Sequence, residues 1–287
     1  MNKFNVKALR TCFVMLHLML SASVFAEASN PSIALRIASP KEFAPQRMSD
    51  FCRSHTPACN PATTKAYVRR KGKDSFIFMM DASKPLLIRY SLNEPKQPPM
   101  TWDFSKHVMT FEFPQDDKQQ RAEIYPALYQ VNADFIAIAL TQKEMFGYSG
   151  GGGMDVSADF LLLTSSRESA NTWGFKPLYR GVPFSSSSMV RACFTEKDHA
   201  DLRHHRRRSC DEENSAYLTM KFRPTNEAHG PWRFTWHLTH LSAEKASLDK
   251  KIHLPFDVIE SESLEAKENR LGNYFVNRGG LQMLEDD

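Results

Sequence analysis

A period of two runs through most of this chain and leaves little room for anything but sheet. The clearest stretch is 232–239, where Trp232, Phe234, Trp236 and Leu238 alternate with Arg233, Thr235, His237 and Thr239. An extended backbone there puts four large apolar side chains on one face and polar ones on the other. From Lys65 onward, short apolar runs alternate with turn signals. Ala66–Val68 is followed by Lys71-Gly72-Lys73-Asp74, and Ser75–Met80 by Asp81-Ala82-Ser83-Lys84. Pro85–Tyr90 then leads into the proline-bearing segment Asn93–Pro99, expected to run extended over the surface.

Further strand-like runs are Ser32–Ile37, Val108–Phe113, Ile124–Val131, Phe135–Leu140, Asp159–Thr164, Trp173–Tyr179, Met189–Phe194 and Tyr217–Phe222. Pro126 lacks a ladder donor, which places its strand at an edge or a bulge. Ser185–Ser188 reads as a flexible connector. Helical patterning is confined to Ser261–Leu271, with Gly272 as a stop, to a poorer match at Ser242–Lys250, and to a single turn near Met48–Cys52. Many strands without alternating helices predict an all-β or β-dominated fold: an antiparallel sandwich or distorted barrel with one short C-terminal helix. A few-bladed propeller is the alternative, though no residue-level repeat favours it.

Residues 1–26 read as an address. Lys3, Lys7 and Arg10 precede the apolar run Cys12–Leu20, and Val24 and Ala26 stand at the small-residue positions before a cut. Even extended to Ala26, the apolar segment is shorter than the ~20 residues that span a bilayer. The expectation is a signal peptide cleaved near Ala26. The remainder, 27–287, is expected to be a single β-rich domain with 93–99 as its one candidate internal boundary. Such a chain would be periplasmic or secreted, with no transmembrane helix after cleavage.

The formal charge of +4 falls to +1 once the three basic residues of the leader are removed. General affinity for nucleic acid therefore has no support. Four cysteines remain, Cys52, Cys59, Cys193 and Cys210, and an oxidising compartment makes disulfides the default. Three pairings are open; the short separations favour Cys52–Cys59 and Cys193–Cys210. Neither pair has the spacing of a zinc site. His55, between the first two, reads as a solvated loop histidine.

Gly147-Tyr148-Ser149-Gly150-Gly151 matches the G-x-S-x-G pattern of serine hydrolases, which would make Ser149 a nucleophile. A nucleophile elbow needs a helix directly after the serine. Here Gly150, Gly151, Gly152 and Gly153 follow, then a strand-like run, so a hairpin loop is the preferred reading. Four adjacent glycines are costly to order, and a close approach to a backbone or a ligand would explain them. The basic run Arg203, His204, His205, Arg206, Arg207 and Arg208 is a candidate contact for an anionic envelope component or an acidic protein face. Asp198, Asp201, Asp211, Glu212 and Glu213 flank it, which also fits a solvated, charge-balanced loop. His237 and His240 fall on opposite faces of their strand, and no motif for a metal or cofactor is present. The reading is an exported envelope protein with a non-enzymatic binding or accessory role; the alternative is a serine hydrolase built on Ser149.

Overall fold

The structure is a computed structural model that describes residues 30–55, 57–71, 74–109, 122–191, 193, 195–197, 200, 210–223, 231–241 and 248–254. The leader, the run from 110 to Phe113, the basic run Arg203–Arg208 and the helix expected at Ser261–Leu271 lie outside these residues.

The described chain is β-dominated, as the alternation requires. In chain order it forms β1 (Ser32–Ala34), β2 (Arg36–Ile37), α1 (Pro45–Ser54), β3 (Thr64–Lys71), β4 (Asp74–Asp81), β5 (Leu86–Ser91) and β6 (Met100–Asp103). There follow β7 (Glu123–Gln130), β8 (Ile136–Tyr148), β9 (Gly151–Arg167), β10 (Trp173–Arg191), β11 (Asp211–Phe222), β12 (Trp232–Leu241) and β13 (Leu248–Leu254). Two antiparallel sheets result, one ordered β2-β3-β4-β5-β6 and the other β1-β7-β8-β9-β10-β11-β12-β13. The larger sheet curls into a half-barrel and the smaller one packs against it, the arrangement of a sandwich or distorted barrel rather than of propeller blades. The run expected as one edge strand at Ser32–Ile37 splits at Leu35: β1 borders the large sheet and β2 borders the small one.

Three apolar layers hold this together. Between the sheets, Phe78, Leu87, Trp102 and Phe104 meet Leu128, Ile138, Leu140 and Leu161. Outside the small sheet, Met48 and Cys52 of α1, one turn apart, cover Ile77, Met79, Leu86 and Ile88 together with Cys59. Inside the curl of the large sheet, Tyr129, Phe160, Tyr179, Trp232, Phe234 and Trp236 are all fully buried. Ala127, Ala137, Ala139 and Ala158 face the same cluster, their small side chains leaving room for the rings. Trp232 closes the curl: it stacks on Tyr179 with centroids 5.4 Å apart, meets Phe160 edge-on, and donates its indole N–H to the Gln130 carbonyl at 2.8 Å. The strand expected to bury one face at 232–239 does so.

The prolines sit where a ladder is already broken. The β7–β8 register shifts between Ile124 and Leu128, across Pro126. In β10, Pro177 and Pro183 each border a register shift against β9. These bulges let β10 run unbroken for 19 residues, where separate strands at Trp173–Tyr179 and Met189–Phe194 had been expected. Ser185–Ser188 is accordingly strand, not connector, paired to β9 on one side and β11 on the other. Of the poorer helical match at Ser242–Lys250, 242–247 lie outside the described residues, and 248–250 open β13, paired to β12. The proline segment 93–99 joins β5 to β6 within one sheet, and 93–98 are exposed.

Candidate functional site

Ser149 and Gly150 form the two-residue turn between β8 and β9, with Tyr148 registered opposite Gly151. A strand follows the serine where a nucleophile elbow has a helix. Ser149 is exposed, and Gly150 takes the left-handed conformation at φ 95°. What the other glycines approach is their own hairpin and its neighbour. A Cβ at Gly153 would stand 2.4 Å from the Ser187 carbonyl oxygen and 2.5 Å from the Phe146 ring. At Gly152 it would stand 2.9 Å from the Phe146 carbonyl oxygen, whereas at Gly147 it would meet nothing within 4 Å. A hydrolase built on Ser149 needs a histidine as base, and His237 and His240 are engaged elsewhere. His237 stacks on Tyr217 and bonds Thr219 Oγ1 at 2.7 Å; His240 Nδ1 bonds Asn214 Oδ1 at 2.6 Å. Both lie on β12, three strand positions from β9 across the sheet.

The cysteines pair as their separations favour, Cys52 with Cys59 and Cys193 with Cys210, at Cα separations of 4.7 and 5.0 Å. His55 departs from expectation. Rather than standing in solvent, it ends α1, stacks on Phe51 at 4.8 Å and bonds Thr101 Oγ1 at 2.8 Å. Burial pulls its pKa below the ordinary value. Among the described residues no three His, Cys, Asp or Glu side chains converge.

Two arginines that belong to no sequence motif, Arg69 and Arg89, meet in a cleft of about 170 Å³ at the rim of the inter-sheet core. Arg69 of β3 registers with Phe76, and Arg89 of β5 with Phe78, so both arginines share the face that buries Tyr67 and Leu87. The β7–β8 turn closes the other side with Gln130, Asn132, Asp134 and Ile136. The Arg89 guanidinium lies 4.1 Å over the Phe76 ring, a cation–π contact, and reaches the Met100 sulfur at 3.8 Å. Among the described residues no carboxylate comes within ion-pair distance of Arg69 or Arg89. Burial pulls both guanidiniums below the ordinary arginine value, and at Arg89 the positive charge of Arg69 adds to this, with Asp74 opposing. Two like charges held half out of water are relieved by an anion, which guanidinium forks bind in bidentate fashion. The signal in the sequence was a charged residue where the alternation calls for an apolar one: Arg89 shares a face with Leu87, and Arg69 with Tyr67.

A second polar group interrupts the inter-sheet face of the large sheet. The Asp159 side chain, fully buried on β9, accepts the Gly181 N–H at 2.6 Å and pairs with His107 Nε2 at 2.8 Å. Arg180 Nε stands 3.5 Å away, and its guanidinium donates to the Val108 carbonyl at 2.7 Å. Gly181, at φ 60°, makes the bulge that turns its N–H toward the carboxylate. This group pins the segment after β6 to β9 and β10, and 52 residues separate its histidine from its aspartate. Farther along the same strands, Gln142, Glu144, Asp155 and Ser157 are buried as well.

Comparison with known proteins finds no family model, no curated protein and no solved structure that the chain matches.

Proposed function

We propose that the chain is an exported envelope protein, periplasmic or secreted after loss of its leader, that binds an anionic group without transforming it. The observation that carries this reading is the Arg69/Arg89 cleft: two half-buried guanidiniums, an aromatic wall, and no carboxylate within ion-pair reach among the described residues. The groups beside the arginines are amides, apolar side chains and the single carboxylate of Asp134. They suit holding a ligand more than activating one. Two disulfides are compatible with export, and among the described residues no helix is long and apolar enough to cross a membrane. The anion is either a carboxylate or a phosphate, the two groups that match a guanidinium fork.

The test is thermal denaturation at low ionic strength with increasing inorganic phosphate, acetate or citrate, on the wild type and on Arg69→Gln with Arg89→Gln. Saturating binding raises stability by roughly 2.7 kcal/mol at a hundredfold excess over Kd. The expected result is a rise in midpoint that grows with the logarithm of concentration for at least one anion, lost in the double variant. No rise, or an equal rise in both proteins, overturns the reading.

A further inference from the structure

We propose that Gln142, Glu144, Asp155 and Ser157 form a binding site for a hard divalent cation, calcium before magnesium. In the β8–β9 ladder Gln142 registers opposite Ser157, and Glu144 opposite Asp155. These are successive pairs on one face, so the four side chains make a square roughly 5 Å across the strands and 7 Å along them. All four are buried, at 7%, 9%, 1% and 0% exposure in sequence order.

The neutral corners point to a ligand. Gln142 Oε1 and Ser157 Oγ are fully buried and have no hydrogen-bond partner. Leaving such atoms unsatisfied costs about 1–3 kcal/mol each. Beside them stand two carboxylates, Glu144 and Asp155, at directly opposite positions of the ladder. Ser186 Oγ donates to Asp155 Oδ1 at 2.5 Å, which steadies that carboxylate from the neighbouring strand β10. Arg180, on β10 near this face, is committed to Asp159 and to the Val108 carbonyl.

The donor set selects the metal. Two carboxylates, one amide carbonyl and one hydroxyl are all oxygen, which excludes a preference for zinc or copper and suits calcium or magnesium. The donors are fixed to two paired strands and cannot rearrange into a close octahedron, a constraint calcium tolerates and magnesium does not. The cation would clasp β8 to β9 just below the glycine hairpin. This site is separate from the arginine cleft and does not depend on it.

The experiment is isothermal titration of the full exported chain, stripped with EDTA, with calcium chloride and then magnesium chloride, together with thermal denaturation in calcium and in EDTA. The expected result is one calcium per chain, at least tenfold weaker magnesium, and a midpoint several degrees higher in calcium. Ser157→Ala, a small change on a strand, should weaken calcium at least tenfold, and Asp155→Asn should abolish its binding. Absence of calcium binding to the wild type overturns the proposal and leaves the carboxylates to partners within the chain, whether or not the variants fold. Unchanged calcium affinity in both variants overturns it equally.

Discussion

At the scale of single residues, the glycines of the β8–β9 hairpin are read by what a side chain would hit. Gly153→Ala drives a Cβ into a backbone oxygen of the neighbouring strand as well as into a ring, and only the ring can step aside. The expected cost is about 1–3 kcal/mol in urea denaturation. Gly147→Ala, on the same hairpin with nothing within 4 Å, is expected to stay within about 0.5 kcal/mol of wild type. Equal effects at the two positions would refute the close-packing explanation. His55 gives a pH signature. Its pKa is depressed in the folded protein by burial, so the unfolded chain takes up a proton first. Its contribution is complete above the ordinary value of 6.5 and is lost as the pH falls from there through the depressed native value. Stability should therefore drop more between pH 7 and pH 5 in the wild type than in His55→Gln, as measured by urea midpoints across that range. Identical slopes would place His55 in solvent after all. The sequence marked His55 as a loop residue because nothing local reveals Phe51 beneath it and Thr101 across from it, contacts supplied by the helix and by β6.

Elements were legible to the extent that their signals were local. Trp232–Leu238 announced its buried face because each apolar residue is separated from the next by one polar residue. Pro126 announced a break in its ladder because a missing N–H acts at its own position. The fusion of two expected strands into β10 was not legible. Four consecutive serines carry no apolar alternation, and they are held in strand by β9 and β11, which lie far away in sequence. Likewise α1 spans Pro45–Ser54 where one turn had been expected, since its stability comes from placing Met48 and Cys52 over the small sheet. The Cys52–Cys59 bridge fastens that cover. Replacing both cysteines by serine is expected to cost about 2.5 kcal/mol on the chain-entropy model, seen as a lower urea midpoint. A variant as stable as wild type would mean that α1 packs on the sheet without the bridge.

At the scale of the whole molecule, one large curled sheet supplies two cores, and the small sheet with its helical cover supplies a third. The fold class followed from period and turn spacing. The sites did not, because each is assembled from strands that only the sheet order brings together. Arg69 and Arg89 become neighbours through β4, and the turn that faces them lies beyond β6 and β7. Gln142, Glu144, Asp155 and Ser157 become a square only when the glycine hairpin folds β9 back on β8. The stretch that looked catalytic thus positions polar groups farther down its own strands. The central claim, that the arginine cleft receives an anion, is tested most directly by following the arginine side-chain Nε–Hε resonances by NMR during a titration with inorganic phosphate and acetate. The Arg69 and Arg89 signals are expected to shift saturably and together with at least one of these anions, while Arg180, held by Asp159, stays in place. Signals that do not move, or that move equally for every arginine in the protein, would contradict it.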